Sequence, residues 1–164
     1  LERNNYIGSL PQTNTPRPDW TSFFIEQRLE AQCRMARDAG AIGPELLRAF
    51  DRAFHRLDGF FPEEPAALLH GDLWMGNFLC TSDGKPMLID PAVYGGHREM
   101  DLAMTRLFGG FAPAFYQSYA DTYPLENGWE ERVPIANLYP LMVHVNLFGG
   151  HYVQQVAQCL RRFA

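Results

Sequence analysis

Lysine is almost missing from this chain: Lys85 is the only one among 164 residues. Acidic side chains outnumber basic ones, 19 to 14, for a formal charge of -5 and an isoelectric point near 5.5. A surface of that sign does not displace counterions from a phosphate backbone, which excludes nucleic acid as a partner. Cysteine is scarce and scattered. Cys33, Cys80 and Cys159 form no Cys-x-x-Cys pair and share no metal-ligand spacing with histidine, so reduced thiols in a cytoplasmic protein are expected. No apolar run approaches the roughly 20 residues that span a bilayer, and the opening Leu1-Glu2-Arg3-Asn4-Asn5 lacks signal-peptide character, so neither membrane nor secretion is expected.

What is present is core-forming material: 46% of residues are hydrophobic and 13% aromatic, enough for one compact domain. Residues 1–18, rich in Asn, Pro and Thr, read as an irregular hinge segment, and residues 19–164 as the folded unit. Asp19 is placed to cap a helix from Trp20 to Ala39, with Ile25, Leu29, Cys33 and Ala36 on one face and Gly40 as its stop. A second helix starts at Pro44 and carries Leu46, Leu47, Phe50, Phe54 and Leu57. Ala66–Leu69 reads as a buried strand. Phe78–Cys80 and Pro86–Ile89 flank Thr81-Ser82-Asp83-Gly84-Lys85 and read as a β-hairpin. Beyond Arg98 the pattern is helical: Met100, Met104 and Leu107 form one stripe, and Phe111, Phe115 and Tyr119 a second, core-facing one. After a loop from Pro124 to Trp129, Leu138, Leu141, Met142 and Val145 mark one helix, and Tyr152, Val156, Leu160 and Phe163 mark the last. The class is α+β, mainly helical with a small hairpin region.

Polar residues concentrate at that hairpin. His70-Gly71-Asp72-Leu73-Trp74-Met75-Gly76-Asn77 forms one loop, and Asp90 follows the second strand. Phosphotransferase loops of the protein-kinase type place an aspartate five residues before an asparagine, the first for the acceptor hydroxyl and the second for Mg²⁺. Asp72 and Asn77 keep that interval. A hard octahedral cation also needs a carboxylate, and the hairpin brings its two ends to within about 5 Å, so Asn77 and Asp90 can share an ion. Any one of these residues alone would be an ordinary turn former. It is the combination that points to phosphoryl transfer.

These motifs, together with Ile89-Asp90-Pro91-Ala92-Val93-Tyr94, Glu99-x-Asp101-Leu102-Ala103-Met104, Phe108-Gly109-Gly110-Phe111, Asn5-Tyr6-Ile7-Gly8-Ser9-Leu10-Pro11-Gln12 and Asn146-Leu147-Phe148-Gly149, resemble the fructosamine and ketosamine kinase family over nearly the whole chain. The resemblance implies the C-terminal lobe of a protein-kinase-like fold, related to aminoglycoside phosphotransferases, that uses ATP and Mg²⁺ to phosphorylate a ketosamine's sugar hydroxyl. It implies Asp72 as catalytic base and Asn77 and Asp90 as metal ligands. Asp101 is expected to buttress the catalytic loop from a helix start, and His70 to anchor it by hydrogen bonds. Trp74 either stacks on the sugar or packs in the core. Gly95-Gly96-His97-Arg98 reads as a flexible turn that could touch substrate or phosphate.

A glycine-rich Gly-x-Gly-x-x-Gly loop and a phosphate-gripping lysine, which kinases of this type need, are not found in residues 1–164. The expectation is a lobe without its ATP-binding partner, inactive alone and prone to self-association through the uncovered face. A non-catalytic binding remnant and an aminoglycoside- or choline-type kinase are the alternatives.

Overall fold

The computed structural model describes residues 3–163. Two hydrogen-bonded strands open it, β1 (Asn5–Ile7) and β2 (Leu10–Gln12), paired antiparallel with Tyr6 opposite Pro11. Within the segment read as irregular, residues 5–7 and 10–12 are therefore paired strands, while residues 13–18 have no regular secondary structure. The segment's polar side chains are bonding partners of later parts of the chain rather than signs of disorder: Gln12 and Asn14 are both buried.

The first long helical stretch runs as α1 (Trp20–Phe23), a π-helical segment (Phe24–Leu29) and α2 (Glu30–Asp38). Asp19 caps it as expected, accepting from the Ser22 amide at 2.8 Å, which satisfies one of the donors that every helix start leaves free. Then comes α3 (Pro44–Phe54), with its proline in the first turn. Phe50 and Leu57 of its stripe are buried, while Leu46, Leu47 and Phe54 pack partly buried against the core.

β3 (Ala67–Leu69) pairs antiparallel with β6 (Tyr94–Gly96), and β4 (Phe78–Cys80) with β5 (Pro86–Leu88), so the expected hairpin is present with Leu79 opposite Met87. Two differences appear here. Leu68 is 75% exposed, so β3 buries only one face. In the Gly95–Arg98 segment read as a flexible turn, Gly95 and Gly96 lie in strand β6, and the following His97 and Arg98 are buried.

Five helices complete the fold: α4 (Glu99–Leu107), α5 (Pro113–Thr122), α6 (Trp129–Ala136), α7 (Leu138–Phe148) and α8 (Tyr152–Leu160). α7 packs against α8 and α2, and α4 against α6. Leu138, Leu141, Met142 and Val145 are all buried, as their spacing predicts. The aromatic stripe on α5 is not core. None of that helix's residues is fully buried, because Phe111, Phe115 and Tyr116 satisfy one another edge-on at the surface. α6 lies where only a loop was expected to end; it is held by Arg132, which grips both oxygens of Glu99 at 2.7 and 2.6 Å.

That pair is half of a buried ionic cluster. Arg98 donates to both oxygens of Glu64 at 2.7 and 2.8 Å and to the carbonyls of Tyr123 and Pro124. Between the two pairs lies His97, whose Nε2 faces the Pro62 carbonyl at 3.2 Å while Nδ1 accepts from the Glu99 amide. Burial lowers the His97 pKa from its ordinary value, and the Arg98 guanidinium lowers that of Glu64. A histidine that resists protonation in the fold lets the unfolded chain take up more protons, so stability should fall as pH drops below about 6.5. Glu64 adds a further loss below its unfolded value of about 4.3. Urea unfolding at a series of pH values checks this, with His97→Gln flattening the upper step; a constant midpoint from pH 7 to about 5 in the unaltered chain contradicts it.

Candidate functional site

β3 delivers the chain into the loop that begins at His70, and α4 holds that loop from below. The Asp101 carboxylate, in the first turn of α4, accepts from the backbone N–H of His70 at 2.7 Å (Oδ2) and of Gly71 at 2.9 Å (Oδ1). Two charge-assisted bonds to consecutive amides fix both position and orientation of the turn. Burial raises the Asp101 pKa, and the two backbone bonds oppose that shift. Gly71 tolerates the close approach that follows: its φ is +83°, and a Cβ would lie 2.1 Å from the Ala92 carbonyl oxygen.

His70 links the loop to the end of the hairpin. Its Nδ1 accepts from the Asp72 amide at 3.3 Å, which leaves Nε2 as the protonated nitrogen that meets the Ile89 carbonyl at 2.9 Å. Asn77, buried at the end of a 3₁₀ turn (Met75–Asn77), donates from Nδ2 to both the Asp72 carbonyl and Asp72 Oδ2 at 2.9 Å. The side-chain amide therefore clamps the aspartate and leaves Asp72 Oδ1 as the carboxylate's other acceptor. The Ile89 amide bonds to the Asn77 carbonyl at 3.1 Å, one residue beyond the Phe78–Leu88 pair of the β4–β5 ladder, and Asp90 follows directly. Asp90 has φ +51°, the only positive value at a non-glycine among the described residues. That strained turn stops the strand there and swings the chain toward β6.

The Asp72 pKa is raised, chiefly by burial. Asn77, His144 and His70 counteract the shift, and the Asp90 carboxylate adds to it. Asn77 and Asp90 thus flank the open end of the β4–β5 hairpin, Asn77 bonds Asp72, and Asp101 and His70 bond the loop that carries Asp72 and the Ile89 carbonyl beside Asp90. Trp74, the remaining predicted residue, is 36% exposed, packs edge-on against Phe108 at 5.9 Å between ring centres, and lines the same cleft as Asp72. Its ring lies over Gly76, where a Cβ would sit 2.3 Å away, so the glycine gives the tryptophan its place.

The cleft has a volume of about 410 Å³ and is walled by Ile7, Trp74, Phe108, His144, Phe148 and Tyr152 around Asp72. His144 was not singled out from the sequence. The available signal was an imidazole within the apolar run of α7. The His144 Nδ1 meets the Pro140 carbonyl at 2.8 Å, and Phe108 and Tyr152 stand 4.8 and 4.9 Å from its ring centre. A second cavity of about 360 Å³, between residues 14–23 and Gly95–His97, is lined by part of the Gly95–Arg98 segment but by none of His70, Asp72, Trp74, Asn77, Asp90 and Asp101.

The donors suit a small hard cation. Asn77 keeps a free amide oxygen, and Asp90 enters no ion pair among the described residues, so an all-oxygen set is available without breaking an existing contact.

Mainly helical with three two-stranded sheets, the fold closely matches solved structures of proteins assigned as fructosamine-3-kinases. The one from Thermobifida fusca superposes with a TM-score of 0.90 at 43% identity, over 98% of this chain and 56% of that one. The one from Haemophilus somnus gives a TM-score of 0.85 at 30% identity. Among curated proteins, one named a probable ketoamine kinase from Enterococcus faecium is 42% identical over 99% of this chain and 60% of its own length. A protein-ribulosamine 3-kinase from Arabidopsis thaliana is 40% identical over 93% of this chain and 47% of its own. The fructosamine kinase family model matches residues 1–164, and the chain belongs to that family. It spans little more than half the length of the curated relatives it matches.

Replacing Asp101 by Asn turns one acceptor into a donor facing a backbone N–H. It should lower unfolding stability by about 2 kcal/mol, the cost of a buried unpaired amide; an unchanged urea midpoint would show that the two bonds hold nothing in place.

Proposed function

We propose that this chain is the acceptor and metal side of an ATP-dependent phosphotransferase, the C-terminal lobe of a protein-kinase-like fold, acting on a sugar hydroxyl of ketosamines. The observation that carries the reading is the clamp on Asp72. Its carboxylate is partly buried and faces an aromatic cleft, and Asn77 Nδ2 donates at 2.9 Å both to one carboxylate oxygen and to the Asp72 backbone carbonyl.

Asp72 accepts the hydrogen bond of the incoming hydroxyl and orients its oxygen, the main contribution a protein makes when the transferring group passes through a loose transition state. The raised pKa suits a group that takes up the proton as the new P–O bond forms. Trp74 stacks on the sugar face. His70 and Asp101 act at one remove, holding the loop that carries Asp72. Asn77 and Asp90 would hold Mg²⁺, which supplies charge neutralisation at the phosphate oxygens. The names of the relatives, ketoamine kinase and ribulosamine 3-kinase, support a sugar attached to an amine as the acceptor.

A phosphate-gripping loop and lysine are then required from a segment beyond these 164 residues. The apolar side chains left exposed near the hairpin, Leu68, Met75, Leu79, Met87 and Leu88, are candidates for its cover, and a second copy of the chain would compete for the same surface.

The test is phosphate transfer from ATP to a fructosamine, with Mg²⁺ titrated, by this chain mixed with a separately expressed amino-terminal lobe of the family. Turnover is expected only in the mixture. Asp72→Asn should reduce it about a thousandfold without changing the far-UV spectrum, and Asp90→Asn should raise the Mg²⁺ required. The acid limb of the rate profile should lie above the ordinary carboxylate value of 3.8, because burial raises Asp72. A mixture without turnover, or one that Asp72→Asn leaves active, removes the kinase reading in favour of a binding domain.

A further inference from the structure

The most deeply buried cation in the molecule lies outside the cleft. Arg28 is fully buried, and no carboxylate pairs with it among the described residues. Its Nη1 donates to the carbonyls of Thr13 and Gln27 at 2.6 and 3.1 Å, and its Nη2 to Asn14 Oδ1 at 2.7 Å, while Nε has no partner. The rings of Tyr94, Phe23 and Tyr139 surround the guanidinium at 4.1, 4.6 and 5.3 Å. Burying a charge without a counter-charge is costly, and aromatic faces and carbonyls only partly offset it. The residue also sits in the π-helical segment Phe24–Leu29, a rare geometry that recurs at functional sites. Core packing alone calls for neither feature.

What Arg28 touches suggests the reason. Asn14 donates onward to Asn5 Oδ1 at 3.1 Å, and Gln12 donates to the same oxygen at 2.9 Å and to the Ala92 carbonyl at 3.0 Å. Asn5 donates to the Val93 carbonyl at 2.7 Å, and the Tyr139 hydroxyl to Gln12 Oε1 at 2.6 Å. The three residues that lead from Pro91 into β6 are therefore each held: Ala92 by Gln12, Val93 by Asn5, and Tyr94 by Arg28 itself. The Ala92 carbonyl in turn is the group that abuts Gly71, directly before Asp72.

We infer that Arg28 is a positioning residue: through the Asn14–Asn5–Gln12 relay and the Tyr94 ring, it sets the spacing between the loop carrying Asp72 and the strand end carrying Asp90. The inference rests on the reading that both carboxylates serve one reaction centre, and it adds a residue that touches neither of them. Lysine would not replace it, since a single ammonium cannot span the Thr13 carbonyl and Asn14 Oδ1 in the fixed fork that a guanidinium presents.

The experiment combines amide hydrogen exchange with binding of Mn²⁺ alone, followed by electron paramagnetic resonance, on the 164-residue chain. Arg28→Met should speed exchange at residues 70–72 and 92–96 about tenfold, as expected for acceptors left unpaired, with α3 and α8 still protected, and should weaken Mn²⁺ binding. Val156→Ala, in the core of α8, should lower overall stability without singling out those two segments. If Arg28→Met does not fold, Tyr139→Phe removes only the hydroxyl that holds Gln12 and should loosen the same segments to a smaller degree. Unchanged exchange at 92–96 in whichever variants fold overturns the inference, as does loosening there with Mn²⁺ affinity intact. If the unaltered chain takes up no Mn²⁺ while the variants still loosen 70–72 and 92–96, the ion-binding reading falls and the positioning role stands.

Discussion

Two oxygens of one carboxylate carry the architecture of the site. Asp101 accepts from the backbone of His70 and Gly71, and by doing so joins the first turn of α4 to the loop that displays Asp72 and Asn77. Without that anchor the loop has only short contacts of its own, because the strand before it is three residues long and half exposed. An aspartate suits the start of a helix, where the dipole favours negative charge, and this one is partly buried, which strengthens its two bonds relative to ones made in open water. The His70 imidazole then carries the constraint across to the Ile89 carbonyl, so the two ends of the hairpin region move with α4 rather than independently.

Around this anchor the polar interior is organised by long-range pairs. Gln12, Asn5 and Asn14 come from the opening hairpin, yet their partners are near residue 92 and in the first helical stretch. Glu99 binds Arg132, and Glu64 binds Arg98, each across more than thirty residues of sequence. A chain whose sheets are only two strands wide has little backbone ladder to hold its irregular segments. Side-chain amides and guanidiniums do that work instead, at the usual condition that each buried group be satisfied.

Much of the helical scaffold was readable from periodicity. The Asp19 cap, α3 with its proline start, and the α7 and α8 stripes follow local rules that operate within a few residues. So did the hairpin, since its Ser-Asp-Gly turn lies between two apolar runs. The readings that failed share one cause. β1 and β2 are three residues each, with Pro11 and Gln12 interrupting the apolar Tyr6, Ile7 and Leu10, and β6 is Tyr-Gly-Gly, all too short for an alternating pattern to show; β6 exists because β3 lies alongside it. α6 depends on a buried ion pair with α4, and the aromatic stripe of α5 packs on itself at the surface, which periodicity cannot distinguish from facing a core. The π-helical segment is invisible in the same way, since nothing in Phe24–Leu29 departs from an ordinary helical composition.

For the site, the Asp72-to-Asn77 interval and the aspartate after the second strand were local patterns, and the residues alone determined which functional groups are available and in what order. The histidine wall of the cleft, the position of Trp74 over Gly76 and the buried guanidinium of Arg28 were decided by the fold. The physical reason is separation: side chains that lie within one turn or hairpin are brought together by bond geometry, whereas α7 reaches Asp72, and Arg28 reaches Tyr94, only after the core has collapsed and closed loops of more than sixty residues between them.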